Sequence, residues 1–217
     1  MLRTKFDEEL EKLHNQFYSM GIEVSGQINK TVRAFVSHDR ELAKEIIEED
    51  DIINELETKL ERKSLEIIAL QQPVSHDLRT VITVLKASSD IERMGDHASS
   101  IAKATIRMKG EERITVVEEK INEMGKAVKR MVEEALNAYI QGDDKKAYEI
   151  AASDEIIDNH FIDIQNLAVE EIRKSPDVVF AGKEYFQVLM YLERIGDYAR
   201  NICEWIVYLK TGKIVEL

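Results

Sequence analysis

The chain has 217 residues, 44% hydrophobic and 33% charged, with a net charge of −12, one cysteine and two prolines. The acidic balance argues against non-specific nucleic-acid binding, which needs a basic footprint, and is compatible with cations or a basic protein partner. A lone Cys203 excludes an intramolecular disulfide or a thiolate metal cluster and fits a reducing compartment. No apolar run approaches the ~20 residues of a membrane span, and the start lacks the apolar stretch of a signal peptide, so a soluble, cytoplasmic protein is expected.

The apolar residues of 4–37 (Phe6, Leu10, Leu13, Phe17, Met20, Val24, Ile28, Val32) recur in steps of three and four, predicting an amphipathic helix. Ser37-His38-Asp39 breaks it, and Asp39 can cap a second helix over 40–70. Gln71 to His76 is a loop around Pro73, after which Ser75 or Asp77 can cap a third helix over 77–109, stopped by Gly110. The plan then repeats: helix four over 112–141, a break at Gly142-Asp143, helix five over 143–173, a loop at Lys174-Ser175-Pro176-Asp177, and helix six over 177–210. Helices of about 30 residues span about 45 Å.

The halves align. Ala34-Phe35, Asp39, Ala43, Asp50 and Ile53 recur as Ala138-Tyr139, Asp143, Ala147, Asp154 and Ile157, an offset of 104; beyond the loop Glu92 recurs as Glu193, an offset of 101. This is an internal duplication of a three-helix unit, and short loops make successive helices antiparallel neighbours. The expected fold is all-α, two tandem three-helix up-down-up bundles over residues 1–110 and 111–217.

The duplication carries a pentapeptide, E-R-x-G-D, at Glu92-Arg93-Met94-Gly95-Asp96 and again at Glu193-Arg194-Ile195-Gly196-Asp197. Carboxylates four residues apart share a helix face. With 42 acidic residues in 217, roughly eight such pairs arise by chance, so one copy carries no information. Repetition in register with the duplication does. Glu92 and Asp96 fall in line with Leu78, Val81 and Leu85; Glu193 and Asp197 lie nearer the edge of their stripe. Gly95 and Gly196 each cost about 1 kcal/mol relative to alanine inside a helix, which points to close backbone approach or to room for something bound.

Counting from the loops supplies partners. Asp50 lies 23.5 residues before the first turn and Asp96 22.5 after it; Asp154 lies 21 before the second turn and Asp197 22 after. Asp50, Asp51 and Asn54 therefore face Glu92 and Asp96, and Asp154 and Asp158 face Glu193 and Asp197, at the same height of an antiparallel pair. Clustered carboxylates repel strongly at low effective dielectric unless neutralised. Two neutralisers are open at this point: a hard cation such as Mg²⁺, Ca²⁺, Mn²⁺ or iron, which oxygen ligands select, or the motif arginines Arg93 and Arg194 acting as salt-bridge nodes.

Other chemistry is sparse. Cys203 reads as packing, and the five histidines are scattered. Glu11-x-x-His14 has the spacing of a di-iron bundle but lacks the second copy such a site needs, and His14 is expected at the surface. There is no Gly-rich phosphate loop. Trp205 lies away from the Leu189 stripe and could mark an interface. In Glu48-Glu49-Asp50-Asp51 the first two acids read as a solvated face.

Two tandem three-helix bundles with E-R-x-G-D-x-A in helices three and six, Asp77-Leu78-Arg79 opening helix three, and Asp-x-x-x-Asn or Asp-x-x-x-Asp in helices two and five resemble the PhoU family over essentially the whole chain. The resemblance implies a non-enzymatic accessory and regulatory protein of bacterial phosphate uptake, linking the Pst phosphate transporter, through its ATPase PstB, to a PhoR-type sensor histidine kinase and restraining the phosphate-starvation (Pho regulon) response. It implies multinuclear metal clusters (iron, manganese, magnesium or zinc) and a homodimer that meets the membrane only through partners, with no nucleic acid. By position the metal ligands would be Asp50, Asp51, Glu92 and Asp96 in the first repeat, and Asp154, Asp158, Glu193 and Asp197 in the second. Asn54, where the second repeat has an acid, leads us to expect a weaker or smaller first cluster. The alternatives are a metal-free helical scaffold, a regulator of a different phosphate transporter, and a metallophosphatase, against which stands the lack of a nucleophile or general acid beside the motifs.

Overall fold

The computed structural model of the chain describes residues 2–217, with side chains from Lys5 onward. Seven α-helices follow in order: α1 (Leu2–Ser37), α2 (Arg40–Gln71), α3 (Ser75–Arg107), α4 (Thr115–Gln141), α5 (Asp144–Ala152), α6 (Asp154–Lys174) and α7 (Val179–Thr211), with a single 3₁₀ turn at Pro176–Val178. Five of the helices, α1 to α4 and α7, fall where the apolar period of three to four residues puts them.

The equivalent caps at Asp39 and Asp143 form as expected. Each carboxylate accepts the backbone N–H three residues on, Leu42 and Lys146, both at 3.0 Å. The start of α3 differs from expectation: Val74 is the capping position, and neither Ser75 nor Asp77 supplies a cap. Ser75 itself sits in the left-handed region at φ 53°. Gly110 stands three residues beyond the last helical residue and provides the left-handed turn of the connector rather than the stop itself.

The larger departure is the fifth expected helix, which breaks in two at Ser153. The Ser153 hydroxyl donates to the Ile150 carbonyl at 2.6 Å and its N–H bonds the same carbonyl at 3.0 Å, so the local side-chain bond competes with the helical ladder. At the equivalent position of the first repeat stands Glu49, whose carboxylate pairs with Lys30 at 2.9 Å, and α2 runs through unbroken.

The repeats lie side by side rather than end to end. α1 packs on α3, α3 on α7, α7 on α4 and α4 on α1, closing a ring of four inner helices; α2 covers the α1–α3 edge, and α5 and α6 cover the α4–α7 edge. One continuous apolar core runs through both repeats, with Phe17, Met20, Val24 and Ile28 of α1, Ile91 and Met94 of α3, Met124 and Val128 of α4, and Leu189 and Leu192 of α7 all excluded from solvent. Each fully buried side chain of this size contributes about 1.5–3 kcal/mol. Polar groups fasten the connector between repeats: Tyr185 Oη accepts the Ile114 N–H at 2.8 Å and donates to buried Glu118 at 3.0 Å, and Arg113 pairs with Glu118 while donating to the Phe35 carbonyl at 2.8 Å.

The ring makes α3 and α7, the two motif helices, direct neighbours. Trp205 belongs to this seam, where its indole N–H donates to Asp90 Oδ2 at 3.0 Å, and Asn201 donates to Oδ1 at 3.3 Å. The interface it marks is thus internal, between repeats. His14 is half-buried against Tyr139 at the α1–α4 contact, not at the surface, because the duplication packs α1 on α4. Cys203 is fully buried, its thiol pushed up to about 12 by burial, as packing requires.

Candidate metal centre

Each acidic patch lies where an inner motif helix meets its outer helix: α3 against α2, and α7 against α6. The motif glycines set that separation. A Cβ on Gly196 would stand 3.0 Å from Asp154 Oδ1 and 3.0 Å from Ile157 Cδ1; one on Gly95 would stand 3.3 Å from Ile53 Cγ2 and 3.4 Å from Gln27 Oε1. Both are therefore close-approach positions, which explains glycine within a helix despite its low propensity. Glu92 and Glu193 flank the buried stripes and are half-buried, Asp50 is half-buried and Asp154 is buried; Asp51, Asp96 and Asp158 are exposed, and Asp197 is intermediate.

In the first patch Asp50 and Glu92 both have raised pKa values. Burial is the main cause, and the Asp96 carboxylate adds to it in both; Glu57 adds further to Glu92, while Lys103 and Ser99 oppose the rise at Asp50. Oδ1 of Asp50 is buried. Ser99, fully buried on α3, has that carboxyl as its neighbour and hydrogen-bond partner, and Oε1 of Gln27, which is 3% exposed, has no partner. An unsatisfied buried oxygen of this kind is costly and rare in native proteins.

The second patch has the same acids and a different neutraliser. Asp154 is pushed up to about 6, mainly by burial and further by Asp158 and Asp197, with Arg200 opposing; Glu193 is raised by burial, Asp197 and Asp158. Arg200 forms ion pairs with both Asp154 Oδ2, at 3.3 Å, and Asp197 Oδ1, at 3.1 Å. No oxygen of this patch is buried and unsatisfied among the described residues.

The two neutralisers considered in the sequence were a metal and the motif arginines. Arg93 and Arg194 oppose the rise at Glu92 and Glu193 without forming an ion pair among the described residues; Arg93 also lies beside Tyr198 across the seam, and Arg194 lies near His97, whose ring stacks on Tyr191 and Tyr198 with centroids at 5.4 and 5.8 Å. The motif arginines thus serve the contact between repeats, and the internal cation of the second patch is Arg200, outside the pentapeptide. Glu57 is a further addition. It lies seven residues, two helical turns, after Asp50, which is the signal that places it on the same face. Its counterpart in the second repeat is Phe161. Counted position by position, with Glu155 the counterpart of Asp51, Glu57 offsets Asn54, and the two patches carry equal numbers of acids.

Among the described residues, no group of three or more His, Cys, Asp or Glu side chains is arranged so that it could hold a metal ion. The donor chemistry of the first patch is still that of a hard-cation site: carboxylates from two helices, raised mainly by burial and further by one another. Asp50, Asp51, Glu92 and Asp96 would hold it, with Glu57 at the margin. Among the described residues, no helix is long and apolar enough to cross a membrane.

Comparison with known proteins agrees over the full length. The family model described as the PhoU domain matches twice, at residues 6–105 and 121–206. A Clostridium acetobutylicum protein named phosphate-specific transport system accessory protein PhoU homolog is 39% identical over 218 residues, covering 100% of this chain and 99% of the relative. A Streptococcus pneumoniae protein of the same name is 37% identical over 216 residues, with 100% of both chains covered. The crystal structure of the phosphate transport system regulatory protein PhoU from Streptococcus pneumoniae superposes with a TM-score of 0.90 at 35% identity, covering 98% of this chain and 100% of that one. The crystal structure of PhoU from Pseudomonas aeruginosa gives 0.90 at 33%, covering 96% and 100%. With both repeats matched and relatives aligned from end to end, the chain belongs to the PhoU family.

Proposed function

We propose that this protein is a metal-binding, non-enzymatic regulatory adaptor of phosphate uptake. It links the Pst phosphate transporter, through the ATPase PstB, to a PhoR-type sensor histidine kinase, and it restrains the phosphate-starvation response when phosphate is plentiful. It works in the cytoplasm as a homodimer and reaches the membrane only through its partners. The observation that carries the reading is the full-length, two-repeat match to relatives named as accessory proteins of phosphate-specific transport.

Metal ions with a preference for hard oxygen ligands (manganese, magnesium or iron, with zinc a softer alternative) belong at the carboxylate patches. The candidate ligands are Asp50, Asp51, Glu92 and Asp96, and in the second repeat Asp154, Asp158, Glu193 and Asp197. A bound cation supplies charge that lets two rows of carboxylates approach without repulsion; α2 and α3, or α6 and α7, supply the scaffold that orients them. The Arg200 ion pairs favour a second reading for one half of the molecule, a metal-free salt-bridge node.

The test is genetic and biochemical. Deleting the gene should derepress alkaline phosphatase in high phosphate, and the tagged protein should retain PstB and the PhoR-type kinase in pull-downs, with recovery differing between high and low phosphate. Unchanged alkaline phosphatase and phosphate uptake in the deletion strain would overturn the proposal.

A further inference from the structure

Away from the acidic patches, the duplication offers two equivalent outer faces for comparison: α1 against α2 in the first repeat, and α4 against α6 in the second. Contacts fix the register. Gly21 of α1 lies against Leu136 of α4, and Gly125 of α4 against Val32 of α1, two contacts that exchange under the 104-residue offset. On α1 the exposed stripe toward α2 reads Asn15, Gln16, Ser19, Ile22 and Gly26, without a charge. The same five positions on α4 are Glu119, Lys120, Glu123, Lys126 and Arg130, all exposed and all charged. A charged stripe is what a solvated helix face carries, so the first repeat is the one that departs.

A groove follows the neutral stripe. One hollow of about 360 Å³ lies between Ile22 and Gly26 of α1 and Ile52 and Ile53 of α2; a second of about 230 Å³ lies further along, between Asn15 and Ser19 of α1 and Leu56 of α2. From Asn15 to Lys30 they follow about 22 Å of α1. Ile22 and Ile52 stand 44% and 54% exposed on the walls. In the second repeat Arg130, paired with Glu134 at 2.8 Å, lines the hollow equivalent to the first, and its volume is about 150 Å³. Gly26 has no reason to be glycine inside this chain. A Cβ on Gly21, Gly95, Gly125, Gly182 or Gly196 would stand 3.3 Å or less from a neighbouring side chain, whereas one on Gly26 would meet nothing within 4 Å. A helical glycine in open space costs about 1 kcal/mol against alanine, and what it gives in return is room for another backbone to come close.

We propose that the α1–α2 groove of the first repeat is a docking site for an amphipathic helix of a protein partner, which lays an aliphatic stripe over Ile22, Ile52 and Leu56, brings a small residue to Gly26 and carries a lysine or arginine beside Glu23. The shape fits a helix: the groove runs along two antiparallel helices for about four turns, and a further helix in it extends the bundle by one layer. Charge sets the flanking residue. Glu23 lines the larger hollow and makes no ion pair among the described residues, while Lys30 on the same rim is taken by Glu49 at 2.9 Å. A free carboxylate beside a neutral floor, in a chain of net charge −12, selects a basic residue on the partner. Recognition of this kind reads anchors spaced at i, i+3 or i+4, and i+7 along the docked helix. The docking site stands apart from the metal reading and survives its failure.

The experiment measures, by fluorescence anisotropy in metal-free buffer, binding of full-length protein to a labelled synthetic helix of about 20 residues with alanine and leucine on one stripe and lysine beside it. A shuffled peptide of the same composition and a peptide with glutamate in place of lysine are the controls. Wild type should bind the striped peptide at least about tenfold more tightly than either control. Gly26→Arg and Ser19→Glu, which copy the second repeat, should each weaken it at least about tenfold, and Arg130→Gly on the other face should leave it unchanged. Glu23→Gln should remove the preference for lysine over glutamate. Gly26→Ala separates docking from folding: it should raise the unfolding temperature while weakening the peptide at least about threefold. A striped peptide that binds no better than the shuffled one, full binding by folded Gly26→Arg and Ser19→Glu, or a lower unfolding temperature in Gly26→Ala would overturn the proposal. So would light scattering that shows a dimer turned into a monomer by Gly26→Arg, which gives the face to a second copy of the chain.

Discussion

The two repeats share a backbone plan and differ in how they tolerate their acids. α3 and α7 carry the same pentapeptide, the same close-approach glycine and the same facing aspartate, Asp50 or Asp154. Around that constant geometry the neighbours diverge. The first repeat has Glu57 and Ser99 where the second has Phe161 and Arg200, and an unbroken α2 where the second is interrupted at Ser153, directly before Asp154. The first patch sets Asp50 beside a neutral hydroxyl, and the second has an internal ion pair. Duplication has conserved the placement of charge while letting its neutralisation change, so a motif repeated in sequence need not be repeated in chemistry.

The largest expected contrast is in pH dependence. Asp154 titrates at about 6 in the folded chain against an ordinary 3.8, so the folded state holds the proton more tightly than the unfolded one. Its contribution to stability is present below the unfolded pKa and lost as pH rises through about 6, on the order of 2–3 kcal/mol. Metal-free wild type should therefore lose about 2 kcal/mol more stability than Asp154→Asn between pH 4 and pH 7 in urea titrations. Asp50, Glu92 and Glu193 are raised in the same direction. Equal pH slopes for the two proteins would mean that Asp154 is not held in a costly environment.

Next comes the matched pair at the diverged position. Arg200→Ser should destabilise the metal-free protein by about 2 kcal/mol at pH 8, a value discounted from that of a fully buried pair because the guanidinium is partly exposed. Ser99→Ala removes one neutral hydroxyl beside Asp50 and should cost no more than about 1 kcal/mol. Thermal or urea denaturation reads both, and losses of equal size would erase the distinction between the patches.

The glycine pair should give a smaller difference. Gly196→Ala places a methyl against the Asp154 carboxylate, which Arg200 holds in place, and should cost about 1 kcal/mol despite the gain in helix propensity. Gly95→Ala meets a slightly more distant Ile53 and should lie within about 0.5 kcal/mol of wild type. The smallest effect is assigned to Glu57→Gln, which should weaken Mn²⁺ binding by no more than about twofold in a calorimetric titration, since that carboxylate sits at the margin of the patch.

How much of this was legible in the sequence follows from which forces act locally. Helices α1 to α4 and α7 follow the apolar period because burial of one face decides them, as in the run from Leu13 to Val32. The facing of Asp50 on Asp96 followed from counting outward from Pro73, because antiparallel helices joined by a short loop keep height. The break at Ser153 did not follow, since it has no glycine or proline and depends on one hydroxyl reaching the Ile150 carbonyl. His14 was misplaced at the surface because its burial comes from α4 packing across the ring, a long-range contact. Arg200 lies outside the pentapeptide, three residues past its aspartate. The cue was present as an i,i+3 partner of Asp197 and as the residue aligned with Ser99. The motif arginines drew the neutralising role because they were adjacent in sequence, but a helix turns consecutive residues to different faces, and Arg93 points to the α3–α7 seam.

The central claim is that the motif carboxylates hold metal ions, and crystals of the full-length protein soaked in Mn²⁺ test it most directly by anomalous scattering. The account predicts anomalous peaks among Asp50, Glu92 and Asp96 and among Asp154, Glu193 and Asp197. Crystals with no peak at either patch would contradict it.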